Sequence, residues 1–261
     1  MAEPFFRLAE WVVPSFFAIN GTKFTYQDLE NIPARGGALV VLNHTSYVDW
    51  APASIAALRR GRRLRFLIKA EMAEVKAVNY VIKHCQLIPV DRRKGADAYA
   101  VAVQRLREGE LVGLHPEATI SRSYELREFK TGAARMALSA QVPIVPLIVW
   151  GAHRIWPKDH PKKVFRNKIP VTVAAGPPLP PHGTPEQLNA VLRQAMNAML
   201  YRVQAQYPHP EGEFWVPRRL GGGAPNPDDS RAIRLAELHE RAKKYGDDGV
   251  TPPGQTQLGP R

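Results

Sequence analysis

Between residues 30 and 206, short apolar runs alternate with longer stretches of helical periodicity. Residues 38–42, 64–68, 87–90, 111–114, 144–150 and 171–174 read as strands, each bounded by Gly, Pro or charge. Residues 51–59, 71–83, 96–107, 131–140 and 186–206 read as helices. The last of these carries Leu188, Val191, Leu192, Ala195, Met199 and Val203 on one face. This alternation predicts βαβ-type units, a sheet covered by helices. No internal repeat is present.

The flanks differ. Residues 5–19 are almost wholly apolar, with Arg7, Glu10 and Pro14 on one narrow stripe at helical spacing. The segment is shorter than the roughly 20 apolar residues of a spanning helix, and it lacks the basic start and uncharged apolar region of a signal peptide. Two readings fit: a helix lying in a membrane interface, with Pro14 bending or ending its first stretch, or a helix packed on the core. After Tyr207 the chain turns to Pro208, Pro210, Gly221, Gly222, Gly223, Pro225 and Pro227, which reads as an irregular extension. One helix is expected there, over 230–245, with Ile233, Leu235, Leu238 and Ala242 as its apolar side. The expected divisions are 1–29, 30–206 and 207–261.

Composition narrows the partners. With 44% hydrophobic and 23% charged residues, the 261-residue chain has enough apolar content for a full core. A single cysteine, Cys85, allows no intrachain disulfide and no cysteine metal cluster. The net charge of +12 points to a polyanion, either nucleic acid or an anionic membrane. Five arginines lie in Arg59-Arg60-Gly61-Arg62-Arg63-Leu64-Arg65 without interleaved aromatics or a nucleic-acid motif. That run and the apolar amino terminus together favour a membrane surface over nucleic acid, with anionic headgroups or nucleotide phosphates as partners of the run.

Two strand ends carry chemistry. The run 38–42 is followed by Asn43-His44-Thr45-Ser46-Tyr47-Val48-Asp49, and the run 111–114 by His115-Pro116-Glu117-Ala118-Thr119-Ile120-Ser121-Arg122. The carboxyl ends of strands are where open α/β sheets place their ligands. An imidazole with a carboxylate beside it can take a proton from a hydroxyl, with the carboxylate stabilising the imidazolium. Ser46 as a nucleophile is disfavoured because no Gly-x-Ser-x-Gly elbow surrounds it. His44, Asp49, His115 and Glu117 could alternatively serve as metal ligands of a hydrolase.

Taken in order, the blocks resemble the glycerolipid acyltransferase family, in particular bacterial 1-acylglycerol-3-phosphate acyltransferases. The matching blocks are Asn43 to Asp49, Leu87 to Arg92, Pro116 to Ser121 and Val142-Pro143-Ile144-Val145-Pro146, with Phe129-Lys130-Thr131-Gly132-Ala133-Ala134 between the last two. Ala118 stands where the family has Gly, and Ile120 where it has the Arg associated with the acceptor phosphate.

The resemblance implies an α/β fold with a single mixed, largely parallel sheet flanked by helices and an amino-terminal amphipathic membrane-associating segment. It implies transfer of a fatty acyl chain from acyl-CoA or acyl carrier protein to the free hydroxyl of lysophosphatidic acid, giving phosphatidic acid. No metal or other cofactor is expected. His44 is the expected base and Asp49 its partner. Arg92, Glu117, Thr119, Ser121, Arg122, Lys69 and Lys130 are expected to bind substrate, with Arg122 and Arg92 making good the loss at Ile120. The expected location is the cytoplasmic face of the cell membrane, peripheral or monotopic, with no signal peptide and no spanning helix. Glycerol 3-phosphate or another lipid alcohol is the alternative acceptor, and a noncatalytic protein binding anionic lipid or nucleic acid is the alternative class.

Overall fold

The computed structural model describes residues 4–74, 76–90, 95–166 and 168–245. The chain falls into two compact units, residues 1–121 with 126–209, and residues 122–125 with 210–261. The larger unit holds one seven-stranded sheet: β1 (Phe24–Gln27), β2 (Ala38–Leu42), β3 (Leu64–Lys69), β4 (Ile88–Val90), β5 (Leu111–Leu114), β6 (Ile144–Trp150) and β7 (Val171–Ala175). Their order across the sheet is β1-β7-β6-β2-β5-β3-β4.

The connections explain the strand directions. Helices α2 (Trp50–Arg59), α3 (Lys76–His84), α4 (Gly95–Arg107) and α5 (Gly132–Ala140) return the chain to the same edge, so β2, β3, β4, β5 and β6 run parallel. No α-helix separates β6 from β7 among the described residues, and this pair is antiparallel. β2, β5 and β6 are buried at every position, as expected of strands covered on both faces. The sheet is therefore mixed and largely parallel.

Four details depart from the sequence reading. β1, which pairs in parallel with β7, lies inside residues 1–29 and extends the sheet into the segment expected to be membrane-associating. Its four residues, three half-buried and Thr25 exposed, carry too little periodicity to be recognised alone. The helix expected over 71–83 is a 3-10 turn, Ala70–Glu74, followed by α3. In α6 (Pro185–Ala205), opened by a capping box between Thr184 and Gln187, Val191 is exposed while Met196 and Leu200 join the buried face. In α7 (Pro227–Tyr245), Ile233 and Leu235 are exposed rather than forming a buried side.

α1 (Pro4–Ile19) runs through Pro14 without ending. Phe17 and Val13 pack on the core, and Glu10 pairs with Arg63 at 2.7 Å. The opposite face leaves Leu8, Trp11, Val12, Phe16 and Ile19 in solvent, Trp11 at 77% and Ile19 at 81% exposure. Among the described residues no helix is long and apolar enough to cross a membrane.

The arginine run bonds to groups of the protein itself. Arg59 lies over the Tyr26 ring and Arg60 donates to the Ile32 carbonyl. Arg62 donates to the carbonyls of Pro33, Gly36 and Gly109 at 2.7–2.9 Å. Arg65 pairs with Glu110 at 2.6 Å and donates to the Cys85 carbonyl. Gly36 and Gly109 precede β2 and β5, so this run ties the amino-terminal ends of the strands, where carbonyls lack ladder partners. That is the edge opposite His44, so the run does not face the catalytic turn.

In the smaller unit, Arg122 pairs with Glu237 and Arg219 with Glu125 at 2.7 Å. Gly222 is required where it stands, because a Cβ would lie 1.9 Å from the Val216 carbonyl oxygen.

Candidate active site

β2 ends in a turn held on every side. Asn43 forms a two-way bridge to β6, its Nδ2 donating to the Val149 carbonyl at 2.9 Å and its Oδ1 accepting from the Val149 N–H at 2.8 Å. The next residue, His44, has its N–H bonded to Glu117 Oε1 at 2.9 Å and its carbonyl to the Ser121 N–H at 2.8 Å. Its Nδ1 lies 3.3 Å from Asp49 Oδ2, which also accepts from the N–H groups of Thr45 and Ser46 at 2.7 Å each. A carboxylate at Nδ1 selects the tautomer with the proton there and leaves the Nε2 lone pair as a base. Asp49 is wholly buried immediately before α2, whereas the His44 side chain keeps 22% of its surface in solvent. A substrate therefore meets the imidazole, not the carboxylate.

Ser46 is taken up by packing. Its Oγ lies within hydrogen-bond reach of the Ala152 and Trp156 carbonyls, at 3.1 and 2.8 Å, and accepts from the Val48 N–H. The Tyr47 N–H donates to the same Trp156 carbonyl at 3.2 Å. These bonds fasten the His44 turn to the turn that follows β6.

The β5 end supplies the floor. The His115 ring stacks on His44 with centroids 3.9 Å apart and 22° between planes, and Phe66 lies beyond it at 6.2 Å. His115 Nδ1 donates to the Asn43 carbonyl at 3.1 Å, which fixes its ring and hence the plane of His44. Gly113 makes room for this stack: a Cβ there would lie 2.9 Å from Phe66 Cε1. Glu117 is buried, with Oε1 on the His44 N–H and Oε2 on the Arg127 N–H at 3.0 Å. Both of its oxygens position backbone rather than reaching for a substrate hydroxyl. With Glu117 and His115 so committed, and the imidazoles stacked face to face, the four residues do not converge as metal ligands; no metal-binding group of three or more His, Cys, Asp or Glu occurs among the described residues.

Burial sets the protonation states. It pushes His44 down to about 4, with the positive charges of Lys69 and Lys158 acting in the same direction. Burial pushes His115 to about 3, with His44 adding to the effect, so both rings are neutral near pH 7. Burial raises Asp49 to about 7, opposed by His115 and by the Ser46 and Thr45 N–H groups. Burial raises Glu117 to about 8, opposed by the N–H groups of His44 and Arg127.

The remaining expected site residues separate. Ser121 is buried and contributes its backbone N–H to His44, while Thr119 is half-buried on the same turn. Ala118 adopts a left-handed φ of 56°, a conformation that favours Gly, the residue that the resemblance implies at this position. Ile120 is buried. Arg122 pairs with Glu237 in the smaller unit, so its guanidinium is engaged away from the role expected of it. Lys69 ends β3 and acts electrostatically on His44. Lys130 is exposed, its N–H donating to the Pro116 carbonyl. Arg92 lies outside the described residues. The sequence reading assigned no role to Asn43, Phe66 or Lys158. Asn43 lay inside a quoted block, but its partner is a strand more than a hundred residues away.

Comparison with known proteins agrees with this geometry. The acyltransferase family model matches residues 23–150. The 1-acyl-sn-glycerol-3-phosphate acyltransferase of Bacillus subtilis is 29% identical over 123 residues, 47% of this chain and 60% of the relative. Its namesake from Borreliella burgdorferi is 28% identical over 142 residues, 53% of this chain and 56% of the relative. The chain thus spans less than two thirds of the length of these curated relatives. The crystal structure of the 1-acyl-sn-glycerophosphate (LPA) acyltransferase PlsC from Thermotoga maritima superposes with a TM-score of 0.60 at 20% identity, covering 77% of this chain and 83% of that one, and shares the fold. The segment that the acyltransferase family model matches, just under half of the chain, holds both strand-end turns and the His44–Asp49 pair.

Proposed function

We propose that this chain moves a fatty acyl group from a thioester, acyl-CoA or acyl carrier protein, to the free hydroxyl of 1-acylglycerol 3-phosphate, giving phosphatidic acid. The observation that carries the reading is the His44–Asp49 pair, its base half-exposed and its carboxylate buried, inside the segment that matches the acyltransferase family. The acceptor hydroxyl loses its proton to His44 Nε2 as its oxygen attacks the thioester carbonyl. The tetrahedral intermediate then expels the thiolate, which takes that proton from the imidazolium. Asp49 stabilises the positive ring in between. Direct transfer of this kind uses no serine, which accords with the bonding of Ser46 to two backbone carbonyls. It also needs neither metal nor prosthetic group.

The enzyme works at a membrane in this reading, peripherally on the cytoplasmic face, where thioester donor and lysophospholipid meet. The exposed ridge of α1 supplies apolar contact, and the net charge of +12 favours an anionic surface. The second reading of the acceptor is glycerol 3-phosphate or another lipid alcohol, and of these the uncharged Ile120 favours an alcohol without a phosphate.

The test is thiol release from palmitoyl-CoA by the full chain with lysophosphatidic acid, glycerol 3-phosphate or no acceptor, beside His44→Ala. Release that requires lysophosphatidic acid and disappears in the variant is the expected result. Turnover that survives His44→Ala, or that needs no acceptor, would overturn the mechanism.

A further inference from the structure

The loop that follows β6 stands in solvent over residues 159–163 and again at Phe165 and Arg166. Residues 156–168 include five basic side chains against one acidic, Asp159, a net charge of +4. Apolar surface lies among these charges, since Phe165 is 78% exposed and Trp156 is exposed too. On the catalytic turn Tyr47 and Trp50, which flank the buried Asp49 in sequence, are also exposed. We propose that this loop is a membrane-docking surface distinct from the ridge of α1: Phe165 and Trp156 enter the interface of an anionic bilayer, and the surrounding cations pair with lipid phosphates. The proposal rests on the membrane placement given above and assigns it a second element, one joined to the catalytic turn.

Both ends of the loop are pinned. At its start the Trp156 carbonyl accepts from Ser46 Oγ and the Tyr47 N–H, and the Tyr47 and Trp156 rings lie 5.9 Å apart, so this end is bonded to the turn that bears His44. At its finish the Lys168 N–H donates to the Asn20 carbonyl at 3.0 Å, one residue past α1, whose last side chain, Ile19, belongs to the exposed ridge. Between these points the Lys163 N–H donates to the Ile155 carbonyl at 2.7 Å, and Val164 packs against the core while its neighbour Phe165 is left in water. One exposed Phe is ordinary on a protein surface. Here the rings stand in a strongly basic loop, and Lys162 Nζ lies over the Trp156 ring at 5.0 Å, so cation and apolar surface share one spot. An anionic bilayer satisfies both at once, because the rings partition into its interface while the cations lie at the level of the phosphates. An acidic protein answers the charges but offers less to the rings. The lipid acceptor is drawn from the same bilayer, so docking by this loop sets the catalytic turn beside its substrate.

The experiment measures co-sedimentation of the full chain with vesicles of phosphatidylcholine, alone or mixed with phosphatidylglycerol, in the absence of substrate. Wild type is compared with Phe165→Ser, with the double variant Lys162→Glu/Arg166→Glu, and with Trp11→Ser on α1. Phe165→Ser should weaken partitioning onto the anionic vesicles about tenfold and the double charge reversal about thirtyfold or more, the second difference narrowing at high salt. On neutral vesicles the charge reversal should change little. Both loop variants should keep the wild-type Tm and, with octanoyl-CoA and a dispersed short-chain lysophosphatidic acid, turnover within about twofold of wild type. Vesicle binding equal to wild type in both loop variants, with loss only in Trp11→Ser, would overturn the proposal and leave α1 as the membrane contact. Loss of turnover with the dispersed substrates, or loss of binding to acyl carrier protein in place of vesicles, would assign the loop to the acyl donor and overturn it as well. A wild-type chain that binds anionic vesicles but transfers no acyl group would refute the proposed reaction and leave this surface standing, whereas one that binds no vesicle would refute the membrane placement and the proposal with it.

Discussion

Replacing Asp49 by asparagine separates charge from shape at the base. Asp49 Oδ2 accepts three hydrogen bonds, from the Thr45 and Ser46 N–H groups and from His44, whereas Oδ1 makes none. An asparagine can place its carbonyl oxygen at the Oδ2 position and its NH2 at the Oδ1 position, preserving the turn and the His44 tautomer. What it loses is the negative charge facing the imidazolium. At the observed 3.3 Å, a full pair of charges is worth about 5 kcal/mol at an effective dielectric constant of about 20. The proton is only partly transferred in the transition state, so roughly half of that, about 2.5 kcal/mol, is the lower expectation, and kcat should fall by about 10² to 10⁴. KM should change little, because the carboxylate is buried out of substrate reach. Thiol release should be followed near pH 8.5, above the value of about 7 to which burial raises Asp49, so that the wild-type group is ionised. The wild-type rate should also decline as pH falls through about 7, and Asp49→Asn should lose that limb. A variant that folds and keeps kcat within a few-fold of wild type would refute the electrostatic role.

Three further expectations follow from the same turns. Ala118→Gly relieves a left-handed alanine, which costs about 1–2 kcal/mol, against about 0.5–1 kcal/mol of added chain entropy, so thermal unfolding should show a Tm higher by a degree or more. Gly113→Ala forces the Phe66 ring away from a Cβ at 2.9 Å and should destabilise the fold by about 1–3 kcal/mol, measured by urea unfolding; an unaltered midpoint would mean that the Phe66–His115–His44 stack is not tight. Glu117 has a folded pKa raised by burial to about 8, so its contribution to stability is present below the ordinary carboxylate range and is lost as pH rises through about 8. Calorimetry between about pH 5.5 and 8.5 should therefore show a shallower fall in Tm for Glu117→Gln than for wild type, and parallel curves would contradict the assignment.

The local pattern of the chain was enough to place the strands that bear chemistry, because β2, β5 and β6 are short, wholly apolar and bounded by polar turns. It also placed His44 and Asp49 near one another, since five residues across a strand-to-helix turn leave little freedom. β1 escaped notice because the strand it pairs with among the described residues is β7, distant in sequence. Long-range partners decided the rest. Five clustered arginines look like a polyanion site in one dimension, yet they close the amino-terminal strand edge because unpaired carbonyls and Glu10 and Glu110 wait there. Glu117, read as a substrate ligand, proved to hold the His44 and Arg127 backbone. Ser46 and Tyr47, both inside the block that bears His44, bond to the Trp156 carbonyl, a partner more than a hundred residues away. Hydrophobic periodicity is a property of neighbouring residues and is written in the chain. The partner of a charged or hydrogen-bonding side chain is chosen by whatever unsatisfied group the fold brings within about 3 Å, and only the tertiary structure makes that choice.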